Sequence, residues 1–149
     1  MRMVRLGCVA LTAALAATPA AGQERRVIRT EILPAGLPFS SAVRVGDLVF
    51  LSGQIGIVPG TRQLADTGIG GQTRQTFENI KTVLAAAGTS LERVVKCTVF
   101  LVDMRDYAAM NAVYAEYFPK DPPARSTVAG SGLALGARVE IECIAAAGE

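Results

Sequence analysis

Val94-Val95-Lys96-Cys97-Thr98-Val99-Phe100-Leu101-Val102 is the stretch on which the fold turns. Most of it is apolar, and most of it is β-branched or aromatic, with no helical spacing. Such a run predicts a central, covered strand. Just downstream, Asp103 stands where a helix cap belongs, and Asp106 three residues on resembles a capping box. Tyr107, Met110, Tyr114 and Tyr117/Phe118 then recur at helical steps as a buried stripe, which Pro119 ends. Upstream, from about Gly71, Phe77, Ile80, Leu84 and Ala87 mark a second amphipathic helix. Arg74, Glu78 and Lys81 lie on its other faces, and Gly88 closes it.

Farther out, Ser41–Val45 and Leu48–Ser52 flank Gly46-Asp47, a hairpin pattern. Gln54–Gly60 reads as a loop ending in the turn Val58-Pro59-Gly60. Beyond the Asp121-Pro122-Pro123 loop, Arg125–Val128 and Ala137–Ala145 read as two more strands, joined through Gly130–Gly136. The expected order is β-β-α-β-α-β-β, an α+β domain with two helices on one face of a mixed sheet. The other sheet face then lacks a cover, so assembly is expected.

The chain has 149 residues, half of them apolar and 19% charged, which suits one folded domain and not a disordered chain. Its mean hydropathy of +0.34 is high, and much of the excess sits in residues 1–22. Met1–Arg5 is basic, Leu6–Ala17 is apolar, and Ala20 and Gly22 place small residues before a cut ahead of Gln23. That order predicts a secretory signal peptide, 1–22, with one mature domain, 23–149, whose ordered core spans about 31–147. The apolar run falls short of the roughly 20 residues that a membrane span needs. The expected location is periplasmic or secreted, with no membrane attachment after cleavage.

Without the leader, thirteen basic residues balance thirteen acidic ones, so no field draws phosphate backbones and nucleic acid is not an expected partner. There is no histidine, which excludes histidine-based triads, zinc sites and haem ligation. Export would permit a bridge between Cys97 and Cys143. Both lie in apolar runs with no activating base or metal spacing nearby, and buried thiols are the favoured expectation.

Familiar phosphate-loop, nucleophile-elbow and paired-cysteine motifs are absent from the sequence. Gly130-x-Gly132 with Gly136 lies between two strands and is read as a hairpin loop, not a dinucleotide fingerprint. The candidates for chemistry are polar residues inside apolar elements. Arg125 opens a strand after Pro122-Pro123-Ala124, and a guanidinium suits bidentate recognition of a carboxylate. Alternation puts Glu140 and Glu142 on one face of the last strand, Ile141 and Cys143 on the other. A half-exposed strand explains both glutamates as well as a site does. Asn111 lies on or beside its helix's apolar stripe, as a satisfied hydrogen-bonder or as a ligand contact.

Seven stretches together resemble the RidA (YjgF) family of enamine/imine deaminases. They are Phe39-Ser40-Ser41-Ala42, Leu51-Ser52-Gly53-Gln54-Ile55-Gly56, Gln72–Ile80, Val94–Leu101, Met110-Asn111-Ala112-Val113-Tyr114, Pro123-Ala124-Arg125-Ser126-Thr127-Val128 and Val139-Glu140-Ile141-Glu142. They run in order over roughly Glu31–Ala147. The resemblance implies a chorismate-mutase-like fold and a homotrimer with clefts between subunits. It assigns Arg125 to the substrate carboxylate and Glu140 to the attacking water, with Phe39, Ser52, Gly53, Asn111 and Thr127 at matching cleft positions. Phe39 is a departure, because many deaminating members carry tyrosine there.

The implied reaction is hydrolysis of 2-aminoacrylate-like enamines and 2-imino acids to 2-keto acids and ammonia. It calls for orientation, a proton-handling group and a water, with no metal and no cofactor. A ligand-binding or chaperone-like trimer of the same fold is the alternative, and a ribonuclease is disfavoured by the neutral body.

Overall fold

The computed structural model describes residues 22, 24–32 and 35–148. The expected signal peptide therefore lies outside the described residues. Strands β1 (Arg25–Ile28), β2 (Ala42–Val45), β3 (Leu48–Leu51) and β4 (Gln54–Ile55) precede helix α1 (Ile69–Ala86). Strand β5 (Val94–Leu101), helix α2 (Tyr107–Tyr117), β6 (Ala124–Ala129) and β7 (Val139–Ala146) follow. The sheet runs β1-β2-β3-β7-β5-β6, with β4 also paired to β7.

Two strands, β1 and β4, lie outside the order that the sequence predicts. Arg25-Arg26-Val27-Ile28 is too charged and short to announce itself, yet it pairs antiparallel with β2. Gln54-Ile55 leaves the expected loop for two residues and pairs with Ile141 and Glu140. The tight turn between β2 and β3 uses Gly46 at φ 55°, and Gly88 ends α1 at φ 77°, both conformations that glycine adopts without a side-chain clash.

β5 is central, as its composition requires: Cys97, Val99 and Leu101 are fully buried. It pairs parallel with β6 and antiparallel with β7. The Gly130–Gly136 connection is therefore no hairpin. Because α2 crosses over between β5 and β6, β6 arrives parallel on one side of β5, and β7 takes the free side.

Helix α1 packs on the sheet face that carries Val49, Val99, Ile141 and Ala145, all at 0% exposure, and α2 packs beside it against α1. Phe77 of α1 meets Tyr114 and Phe118 edge-on and stacks on Tyr117, locking the two helices together. On the helix-free face, Leu48, Phe50 and Val128 stay exposed.

Two local expectations are corrected. Cys97 and Cys143 form a disulfide and are not free thiols. The sheet register sets them directly opposite each other on β5 and β7, a proximity that composition could not reveal. The capping box also fails. Asp103 does accept the Arg105 amide at 2.8 Å, but it caps a short 3₁₀ turn, Met104–Asp106. Asp106 turns away to take the Arg138 guanidinium through two bonds of 2.7 and 3.0 Å, a charge-assisted pairing stronger than a helix cap.

Candidate active site

Arg125 lies on edge strand β6, one position into the strand that Pro122-Pro123 introduces. Its Nη2 donates to the Tyr107 hydroxyl at 3.1 Å. Its guanidinium carbon stands 4.4 Å from the centre of the Tyr114 ring and 5.6 Å from that of Tyr107. Aromatic faces hold a cation in place without neutralising it. Among the described residues no carboxylate pairs with Arg125. The charge is positioned and left for a ligand.

Three polar atoms beside it are buried without a hydrogen-bond partner: Asn111 Oδ1, Tyr114 Oη and Thr127 Oγ1. Asn111 and Tyr114 lie one turn apart on α2, on the side that meets Arg125, and Thr127 shares Arg125's face two residues along β6. Buried polar groups are rarely left unsatisfied, so this corner offers partners to a polar group from outside the chain. In the sequence Tyr107 and Tyr114 show only as part of a hydrophobic stripe. Met110 and Tyr114 are indeed buried, but Tyr107 is 36% exposed and faces Arg125. A tyrosine whose ring packs while its hydroxyl reaches a site looks like core in any periodicity count.

Glu140 sits elsewhere. It lines a cleft of about 270 Å³ with Gly53, Phe39 and several aliphatic side chains. Burial, with the Glu142 charge second, raises its carboxyl above the usual glutamate range. Gly53 makes this position possible, since a Cβ there would fall 1.9 Å from Glu140 Oε1. Ser52 flanks the cleft without lining it. Its hydroxyl donates to the Ser40 carbonyl at 2.6 Å and its amide to Ser41 at 3.0 Å, pinning the segment that carries Phe39. Asn79, buried in α1 and unnoticed in the sequence, donates to the carbonyls of Ile55 and Ile57 at 3.0 Å each and fixes the opposite wall.

The register separates Arg125 from Glu140. Arg125 aligns through Cys97 with Cys143, three positions from Glu140. An odd offset in a strand means opposite faces. Arg125, Thr127 and Asn111 therefore form one group on the helix side. Phe39, Gly53 and Glu140 form another at the helix-free side. Within one chain the two groups do not meet.

The family profile described as Endoribonuclease L-PSP matches residues 29–147. The chloroplastic Reactive Intermediate Deaminase A of Arabidopsis thaliana is 42% identical over 85% of this chain and 68% of its own. The 2-iminobutanoate/2-iminopropanoate deaminase of Capra hircus is 42% identical over 83% of this chain and 91% of its own. The crystal structure of Escherichia coli TdcF with bound serine superposes with a TM-score of 0.76 at 35% identity, covering 83% of this chain and 99% of that one. Matched along nearly all of its described length by proteins of this kind, in sequence and in fold, the chain is a member of the RidA (YjgF) family.

Proposed function

We propose that the chain hydrolyses 2-imino acids and their enamine tautomers to 2-keto acids and ammonia, in clefts completed between the subunits of a homotrimer. The observation that carries this is the division of the site across the sheet. An uncommitted guanidinium with unsatisfied polar atoms lies on one face, and a carboxyl raised toward neutrality lies on the other. A neighbouring copy that sets its Arg125 group against this copy's Glu140 group would unite them. Relatives at 42% identity bear imine-deaminase names, and a serine-bound relative shares the fold, which supports a small amino-acid-like ligand.

In the proposed cleft Arg125 binds the substrate carboxylate, with Asn111 and Thr127 completing its shell. Glu140 takes a proton from water as the oxygen attacks the electrophilic C=N carbon. Glu140 passes that proton to the nitrogen to give the carbinolamine, then carries the hydroxyl proton to the same nitrogen as the carbonyl forms, the C–N bond breaks and ammonia leaves. Phe39 supplies an apolar wall beside Glu140.

Mixed assembly tests the reading. Assayed well below KM, Arg125→Ala and Glu140→Gln should each be strongly impaired alone, yet trimers formed randomly from equal amounts should recover about one quarter of the parent activity, the share of sites that unite two intact halves. No recovery would mean that both residues serve the same site from one chain, and the composite cleft would fall.

Export of the mature chain belongs to the same proposal, and the Cys97–Cys143 bridge supports it, since such bonds persist in oxidising compartments. An intact mass beginning at Gln23 is the expected result for protein recovered outside the cytoplasm.

A further inference from the structure

The electrophilic carbon of an imino acid bears three groups: a carboxylate, the nitrogen and a side chain. Under the reading above, on which this inference rests, the carboxylate is drawn to Arg125 on the far half of the site. Water reaches the carbon from Glu140. The side chain is left with the space around Glu140, and that space is the cleft.

Its apolar walls are Leu37, Phe39, Ile55, Ile57 and Leu135, and Gln54, Thr61 and Arg62 also line it. At about 270 Å³ it approaches the roughly 300 Å³ at which small-molecule pockets begin, far more than a methyl group fills. Two of these walls are unexplained by folding. Phe39 and Leu135 are each 51% exposed, so neither serves the core. Leu135 moreover adopts φ 56°, a left-handed conformation that a leucine rarely takes. A large apolar side chain held exposed in a strained conformation, at the rim of a cleft whose wall holds a half-buried carboxyl, points to function.

We infer that this cleft is the side-chain pocket and that the chain prefers bulky apolar 2-imino acids, those corresponding to leucine, methionine or phenylalanine, over the small 2-iminopropanoate and 2-iminobutanoate. The preference arises because each methylene moved from water to an apolar wall strengthens binding of the transition state.

The test is a panel of imino acids generated in situ by an amino-acid oxidase from alanine, 2-aminobutyrate, leucine, methionine, phenylalanine and glutamate. Turnover is read as imine lost, and oligomeric mass is measured by light scattering. The leucine- and phenylalanine-derived imines should show kcat/KM at least about tenfold above that of 2-iminopropanoate, the low end for one methylene in an apolar pocket. Leu135→Asp and Phe39→Ala should each cut that ratio about tenfold, with the trimer intact. A flat panel, or one favouring the small imines, overturns the inference while the deaminase reading stands. Preference for the glutamate imine would also overturn it, and would assign the cleft to Arg62, which lies on its rim. A Leu135→Asp protein that dissociates and loses turnover of every imine alike, with an unchanged ratio in Phe39→Ala, would overturn the inference and give the cleft to a neighbouring copy. Turnover of no imine at all overturns both readings.

Discussion

Glu140 is the residue whose environment makes the sharpest demand. A carboxyl held above the ordinary glutamate range by burial is a better proton acceptor near neutral pH than an exposed one. Activity should therefore rise with pH through an inflexion above 4.5, the ordinary value, and Glu140→Gln should abolish that inflexion along with about 10²–10⁴-fold of turnover. Glu142→Gln removes the second cause of the shift, so it should move the inflexion toward acid.

Stability carries the opposite sign from that of a salt-bridged carboxylate. The folded chain binds the Glu140 proton more tightly than the unfolded chain, so stability is lost as pH rises from the unfolded value through the folded one. Melting temperature measured against pH should show this loss in the parent and not in Glu140→Gln. Arg125→Ala should cost about 1.5–3 kcal/mol of substrate interaction, appearing largely in KM, and lysine should rescue it poorly for want of a planar fork. Gly53→Ala probes position alone. The new methyl drives the Glu140 carboxylate aside, and because that side chain can swing, the fold should survive while turnover drops about 10²-fold.

Among the elements, β5 carries the most consequence. It pairs with both strands that bear the site, β6 with Arg125 and β7 with Glu140, and the Cys97–Cys143 bond fastens it to β7. The bond closes a loop of 46 residues that includes α2 and β6, so it restrains the unfolded chain substantially. Replacing both cysteines with alanine should lower the unfolding free energy by about 2–4 kcal/mol, read from denaturant titration. An unchanged midpoint would mean that the bridge adds nothing to the packing around it. The failed capping box is instructive at this scale too: Asp106 had the right spacing for a cap, but Arg138, thirty-two positions away, competes for the same carboxylate.

At the scale of the whole molecule, the helix-free sheet face decides assembly. Leu48, Phe50 and Val128 leave apolar surface on it, each at 40–50% exposure. Exposed apolar surface grouped on one sheet face marks an interface, and the proposed cleft between subunits calls for one. The mature chain should sediment as a trimer, and Phe50→Glu should shift it toward monomer and remove activity together, since dissociation separates Arg125 from Glu140. A fully active monomer would refute both the interface and the shared cleft.

Local pattern was enough for much of this. The apolar, β-branched run around Cys97, the helical spacing of Phe77 and Ile80, and the glycines at 46 and 88 report backbone preferences that act within a few residues of the chain. Arg125, Glu140 and Asn111 were visible as polar residues in apolar elements, a conflict that sequence displays without knowing its resolution. Pairing was not visible. Whether β6 joins β7 or β5, which cysteine faces which, where Asp106 sends its carboxylate, and that Arg125 and Glu140 stand back to back all depend on register between segments far apart in sequence. Register is settled by which faces the whole chain can bury at once, so it belongs to the tertiary structure alone.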